Sequence, residues 1–283
     1  MDSIPISSLE GRKAFVTGGA SGIGLGIVKA LARRGAFVVM ADLRADHIDR
    51  ALAGMAGTAL ADSVAALELD VTDRAAFASV AERMDGELGG IDVLVNNAGV
   101  GVDGPILQAG YADWDFGLGV NLGGVVNGLQ SFLPRMIAHG RGGHVVNTAS
   151  LAAMTMMPGH LAIYAASKAA VLNLSENMRA DLGEKGIGMS VLCPGFVKSN
   201  IHEAAQNRPQ HLREGSGFGE SERVLGERVV GDNWMEPDVV GDMVAEAILA
   251  NQLYVITHGE FRNRTRERAD AWLAATPHAD MQF

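Results

Sequence analysis

Tyr164 and Lys168 stand four residues apart in Ile163-Tyr164-Ala165-Ala166-Ser167-Lys168, inside a stretch from Leu161 to Leu182 with strong helical character. At that spacing both side chains share one helix face. A phenol beside an ammonium is proton-transfer chemistry. An unperturbed tyrosine, with a pKa of about 10, is no base near neutrality, and lowering it by ~3 units takes roughly 4 kcal/mol of preferential phenolate stabilisation. The Lys168 ammonium and a second cation in a poorly solvated pocket would supply that. Spacing alone does not separate the pair from a surface one.

The second group is the turn Thr17-Gly18-Gly19-Ala20-Ser21-Gly22-Ile23-Gly24, between the first apolar run and the first helical pattern. Glycines there permit a tight turn and bring the backbone close to a pyrophosphate, whose charge faces the helix N-terminus. Gly18, Ser21, Gly22, Ile23 and Gly24 are the candidate contacts, although the spacing is not G-x-G-x-x-G and a purely structural turn also explains it. Asp42 follows the second apolar run, eighteen residues after Gly24, where a carboxylate accepts hydrogen bonds from an adenosine ribose diol and repels a 2′-phosphate. NAD is therefore favoured over NADP. Arg44, two residues on, opposes that preference because an arginine pairs with phosphate. Asp70 and Val71 close the third run; Asp70 either accepts from the adenine amino group or helps cap the helix that starts near Asp73. A nicotinamide ring, positive when oxidised, is then the second cation that Tyr164 needs.

These residues need elements to hold them. Short apolar runs (14–16, 36–40, 64–69, 91–95, 144–147, 188–192 and 253–256) alternate with helical patterns, among them 23–34, 45–55 and 73–88. Continuous apolar strands suit a sheet covered on both faces, and strict alternation implies parallel strands with right-handed crossovers. The fold class expected is α/β: one Rossmann-like, doubly wound parallel sheet of about seven strands, with ligands at the strands' carboxyl ends. The whole of 1–283 reads as a single domain. Within it, 198–234 is polar and glycine-dotted, and as an insertion after a strand end it reads as a substrate lid rather than a disordered loop.

Apolar residues make up 48% and charged residues 20%, enough for a sizeable core, and the net charge of −10 argues against nucleic acid or an anionic membrane as partner. Arg262, Arg264, Arg266 and Arg268 form a local basic run, read as the solvated face of an amphipathic helix. Cys193 is the one cysteine, at the end of an apolar run, and reads as buried rather than nucleophilic. No run approaches the ~18 apolar residues of a membrane span, and Met1 to Arg12 carries no secretory pattern. The expected location is cytoplasmic, and no metal is expected.

Taken together, Thr17 to Gly24, Asp70, Asn96-Asn97-Ala98-Gly99, Asn121, Ser150, Tyr164 with Lys168, and Pro194-Gly195 resemble the short-chain dehydrogenase/reductase family over residues 12 to 200. The resemblance implies that Tyr164 is the acid/base, that Lys168 lowers its pKa and holds the ribose, that Ser150 positions the substrate oxygen, and that Asn121 orders a water of a proton relay. It places Asn97 beside the adenosine, and Pro194, Gly195 and Val197 at the nicotinamide amide, with Ser199 where a threonine is more usual. Ser150 lies fourteen residues before Tyr164, one more than the family's usual separation; the extra residue is expected within 158–163, with Thr148 as the fallback. The family implies a homodimer or homotetramer, through the helix of Tyr164 and C-terminal elements such as the final helix with Trp272.

Asn121 to Gly128, Pro134 to Ala138, Lys198 to Ile201 and Leu253 to Phe261 are similar to a subgroup that includes Cα-dehydrogenases of lignin-derived aryl ethers. The expected substrate is a bulky secondary alcohol or its ketone, probed by Leu151, Met154, Met156, Met157 and Phe196, which serve equally as packing. Arg208 or Arg213 of the lid would be the groups able to reach a substrate carboxylate. Two other readings stand beside this one: a hydroxysteroid or acyl-carrier ketoreductase, against the latter of which Asp42 counts, and a nucleotide-sensing module without chemistry.

Overall fold

Alternation of side chains along the strands decides the architecture. In β1 (Lys13–Thr17), Phe15 faces one layer while Ala14 and Val16 face the other. In β2 (Phe37–Asp42), Val38 and Met40 point one way, Val39 and Ala41 the other. Strands buried on both faces need helices on both faces. The computed structural model describes residues 6–221, 231 and 233–277; the first five and last six residues, and 222–230 and 232 of the expected lid, lie outside the described residues.

The remaining elements follow in chain order: α1 (Gly22–Arg33), α2 (Ala45–Met55), β3 (Val64–Glu68), α3 (Arg74–Leu88), β4 (Val93–Asn96), α4 (Tyr111–Leu118), α5 (Gly124–His139), β5 (Gly143–Thr148), α6 (Leu151–Met154), α7 (Ala162–Glu184), β6 (Ile187–Cys193), α8 (Gln210–Arg213), α9 (Pro237–Leu249), β7 (Tyr254–Ile256) and α10 (Arg262–Ala275). The sheet has seven strands, all parallel, in the order β3-β2-β1-β4-β5-β6-β7. Apolar residues of α1, α2 and α9 fill one layer; those of α3, α5 and α7 fill the other, around the rings of Phe15, Phe77 and Phe132. Chain direction reverses its march across the sheet between β1 and β4, and a crevice opens at the carboxyl ends of those two strands.

Two helix contacts position the site. α1 meets α9 backbone to backbone: a Cβ on Gly26 would stand 2.1 Å from the Pro237 carbonyl oxygen, and one on Gly241 would stand 2.2 Å from the Gly26 carbonyl oxygen. α5 likewise lies close on β4, because Gly128 leaves room for the Asn96 side chain. Between α4 and α5 the chain makes a π-turn over Gly119–Gly123 instead of a loop. Sequence patterning did not foresee α4 and α5, since the glycines at 117, 119, 123, 124 and 128 lower helix propensity. Gly117, Gly124 and Gly128 are there for close approach, to Ile163, Val71 and Asn96.

Candidate active site

The glycine turn closes β1 with Gly18 at φ +60 and Gly22 at φ +48, conformations that favour glycine. Gly24 is equally constrained, since its Cβ would fall 1.9 Å from the Gly18 carbonyl oxygen. The turn is clamped from β4: Asn97 Nδ2 donates to the carbonyls of Thr17 and Gly18 at 3.1 and 3.2 Å, and Thr17 Oγ1 accepts from the amides of Asn97 and Ala98. Ser21 is the N-cap of α1, yet its side chain does not cap, and no acidic residue stands in the first turn. The first amides of α1 therefore remain open to an anion. That unsatisfied helix end beside a cradle with no room for Cβ atoms fits a dinucleotide pyrophosphate.

A cleft of about 530 Å³ runs along this turn. It gathers Gly18, Ser21, Gly22, Ile23, Gly24, Asp42, Asp70, Val71, Asn97, Tyr164, Lys168 and Pro194 of the expected set. At its far end Asp42 is nearly buried and accepts from the amides of Ala20 and Arg44, both at 3.1 Å. Arg44 forks onto Asp46 at 2.8 and 2.9 Å and reaches Gln206 at 3.1 Å, with Glu203 at 3.7 Å. Arg44, with Arg50 beside it, holds the Asp46 carboxyl well below the usual carboxylate range. Asp70 binds the amide and hydroxyl of Thr72, while α3 is capped by Asp73, so capping by Asp70 is ruled out.

Asn121 sits on the π-turn, fully buried and outside both cavities. Its Oδ1 accepts from the Val100 amide at 2.8 Å, and its Nδ2 donates to the Val100 carbonyl and to Ser167 Oγ, both at 3.1 Å. The side chain is thus spent on the protein. Lys168 is buried, and its Nζ donates to the Thr148 carbonyl at 2.8 Å. Gly99 gives it space: a Cβ there would stand 3.2 Å from Nζ. The Lys168 Nζ lies 5.9 Å from the centre of the Tyr164 ring.

A second cavity, of about 650 Å³, opens on Tyr164 from the other side and takes in Ser150, Pro194, Gly195 and Val197. Ser150, not Thr148, faces the phenol; the Thr148 side chain turns to Asn97. A tight turn at Gly159–Leu161 lies in the Ser150–Tyr164 interval, just ahead of α7. Burial raises the Tyr164 pKa, and the hydrogen bond with Ser150 opposes it. Burial also pushes the Lys168 ammonium down to about 8. In the protein without dinucleotide, Lys168 alone therefore does not turn Tyr164 into a base. Cys193 lies fully buried, and burial pushes its thiol up to about 12, which excludes it as a nucleophile.

Gly195 is packed on His258, and its amide donates to Thr257 Oγ1 at 3.1 Å and to His258 Nδ1 at 3.3 Å. The far wall of the cavity is aromatic: Phe196 stacks between Trp234 at 5.4 Å and Phe261 at 6.1 Å. Leu151 and Met157 line it too, whereas Met154 packs into the core and Met156 is exposed.

Three expectations need correction. Arg208 does not reach into the cavity; it pairs with Asp113 at 3.2 Å, both groups essentially buried, and stacks on Phe116. Arg213 donates to the Arg208 and Gln206 carbonyls instead. The basic run of α10 is only partly a solvated face, because Arg264 lines the second cavity and Arg268 donates to the Ala153 carbonyl at 2.7 Å. Sequence reasoning missed Trp234, Phe261 and Arg264 as site residues, and His47 beside Asp42. The only signal was their position after strand ends.

A parallel sheet with an anion-receptive turn at its switch point, and a half-buried tyrosine with a buried lysine and serine beside it, defines a Rossmann-type oxidoreductase. The chain belongs to the short chain dehydrogenase family, whose profile matches residues 12–210. It is 38% identical over 259 residues, 91% of this chain and 84% of the relative, to the C alpha-dehydrogenase of Sphingobium sp. (strain NBRC 103272 / SYK-6). It superposes on a short chain dehydrogenase/reductase of Burkholderia phymatum in complex with NAD, with TM-score 0.86 and 30% identity over 98% of this chain and 99% of that one. The apo form of LigD from Sphingobium sp. strain SYK-6 is similar as well, with TM-score 0.78 and 33% identity over 96% of this chain and all of that one. Among the described residues, no helix is long and apolar enough to cross a membrane, and no cluster of His, Cys, Asp or Glu has the makings of a metal site.

Proposed function

We propose that this oxidoreductase interconverts a bulky aryl secondary alcohol and its ketone with NAD. The observation that carries this reading is the largely apolar cavity of about 650 Å³, walled by Phe196, Trp234 and Phe261 and opening on Tyr164 and Ser150. The name of the Sphingobium relative, a C alpha-dehydrogenase, supports the same alcohol class. The dinucleotide, when bound in the cleft, supplies the hydride acceptor or donor. Ser150 Oγ holds the substrate oxygen beside Tyr164 Oη, which takes the alcohol's proton in oxidation and returns it in reduction. Lys168, held by the Thr148 carbonyl, faces the ribose and keeps a positive charge near the phenolate. Since the Asn121 side chain is spent, its role falls to its main-chain carbonyl, which the π-turn takes out of α-helical register.

NAD is supported by the charges at the adenosine end. Among the described residues Arg44 is the cation at Asp42, and it already pairs with Asp46, Gln206 and Glu203, so a 2′-phosphate would meet Asp42 with its nearest cation engaged. The segment 198–221 acts as the cover of both cavities, and the chain works in the cytoplasm as a homodimer or homotetramer. The test is reduction of NAD and NADP, side by side, with enantiopure benzylic, steroidal and other alicyclic secondary alcohols. Turnover of benzylic alcohols with NAD is expected; turnover confined to steroids, or to NADP, sinks the respective half of the proposal.

A further inference from the structure

Two buried side chains that line neither cavity hold the place where the cavities meet. Ile23, Tyr164, Pro194, Ser199 and Ile201 line both spaces. A hydride that passes between a dinucleotide in the cleft and an alcohol in the second cavity crosses at that wall. A nicotinamide ring therefore stands beside Tyr164 and Pro194. The backbone of 194–196 forms one side of the wall, and each of its residues is tied. The Pro194 carbonyl accepts from the Leu151 amide and the Phe196 carbonyl from the Met235 amide, both at 3.0 Å.

The amide of Gly195, between them, lies beyond the reach of strand pairing. The ladder of β6 and β7 ends at Cys193 opposite Ile256, and Pro194 has no amide hydrogen. The first two residues after β7 take over with their side chains. The Gly195 amide is shared between Thr257 Oγ1 at 3.1 Å and His258 Nδ1 at 3.3 Å, and His258 Nε2 meets the Phe196 carbonyl at 3.2 Å. An amide N–H only donates and a carbonyl only accepts, so the ring carries its proton on Nε2 and a lone pair on Nδ1. The Thr257 hydroxyl then donates to Nδ1 while it accepts from Gly195. Only glycine permits this approach, since a Cβ on Gly195 would stand 2.7 Å from the imidazole Cγ. Thr257 and His258 are both buried, so little water competes for the same amide.

We propose that His258 is a positioning residue for the nicotinamide half of the dinucleotide. It touches no ligand; it fixes the Gly195 amide, and through it the backbone against which the ring lies. Nδ1 carries this role. Thr257 also takes the Gly195 amide, but its hydroxyl is aimed by Nδ1, so removing Nδ1 frees both acceptors. The bond from Nε2 matters less, because the Phe196 carbonyl keeps the Met235 amide without it.

This role rests on the dinucleotide reading above, and its test needs no alcohol. ADP-ribose is the dinucleotide without its nicotinamide, so the ratio of NADH to ADP-ribose affinity reads the nicotinamide site alone. Damage to the fold at large weakens both ligands and cancels. Calorimetry would give this ratio for wild type, His258→Asn and His258→Gln. Asparagine sets an oxygen near the place of Nδ1; glutamine sets its amide near Nε2 and leaves nothing at Nδ1. His258→Asn should keep the ratio within about threefold of wild type, and His258→Gln should lower it about tenfold, the weight of one hydrogen bond. A wild-type ratio in His258→Gln, or a ratio in His258→Asn as low as that of His258→Gln, overturns the proposal. Equal affinity of wild type for NADH and ADP-ribose overturns it as well. NADPH, with 2′-phospho-ADP-ribose as its reference, would be run in parallel. Preference of wild type for NADPH, with the His258 pattern intact in that pair, would sink the NAD reading alone.

Discussion

Tyr164 and Lys168 arrive at the reaction from opposite directions. Burial raises the phenol and pushes the ammonium down to about 8, so each group resists the charge that the chemistry asks of it. Replacing Tyr164 by Phe is expected to cut kcat/KM by about a thousandfold, with dinucleotide affinity nearly unchanged, as steady-state rates and a binding titration would read. Lys168 leaves a mark on stability too. Its folded pKa lies below the unfolded value of 10.5, so between about pH 8 and pH 10.5 the unfolded chain binds more protons and stability rises with pH. Denaturant unfolding of the dinucleotide-free protein should show wild type gaining up to about 3 kcal/mol over that window relative to Lys168→Met. An equal slope in the two proteins would mean that the ammonium is not desolvated. Residue identity was the most legible level of this sequence. Gly18, Asp42, Ser150, Tyr164 and Lys168 are short-range signals at strand ends and on one helix face, and the structure gathers them into adjoining cavities.

Among the elements, the strands and the helices of the outer layers were readable, since continuous apolar runs have few alternatives to a covered sheet. The α4–π-turn–α5 stretch was not. Its glycines read as breakers, yet Gly124 and Gly128 are there because Val71 and Asn96 occupy the space a Cβ would need. The segment 198–221, read from the sequence as part of a lid, is attached through a long-range pair that no local pattern displays. Arg208 and Asp113 meet across 95 positions, and Asp113 also accepts from Ser216 Oγ at 2.6 Å and the Gly217 amide at 2.9 Å. Arg208→Leu leaves Asp113 buried without its cation, a loss of about 3–5 kcal/mol. Chemical denaturation and limited proteolysis of 198–221 should register it, together with a rise in substrate KM. Unchanged protease resistance would show that the cover is held by Phe218 and its apolar neighbours instead.

For the whole molecule, α10 poses the open question of assembly. It buries none of its residues, and Trp272 and Leu273 remain 62% and 71% exposed, with Arg268 stacked on Trp272 at 4.8 Å. An apolar pair of this size at the end of a helix suits a contact between copies, in line with the homo-oligomer proposed above. Trp272→Ser with Leu273→Ser should therefore lower the oligomeric mass seen by sedimentation while leaving the melting temperature of the isolated fold nearly unchanged. The same mass in both proteins would place the contact elsewhere, on α7 for instance.

The backbone contact between α1 and α9 bears on how the two cavities work together. Gly26 and Gly241 leave no layer of side chains between the helices, and it is such a layer that lets packed helices slide. α1 and α9 are thus a single lever. One end of it presents the amides of residues 22–24 to the dinucleotide; the other begins at Pro237, two residues after Met235 pairs with Val197 beneath the substrate cavity. The floor of the second cavity and the turn at the first are therefore parts of one packed pair of helices. The two cavities are thereby joined through two glycines that line neither of them.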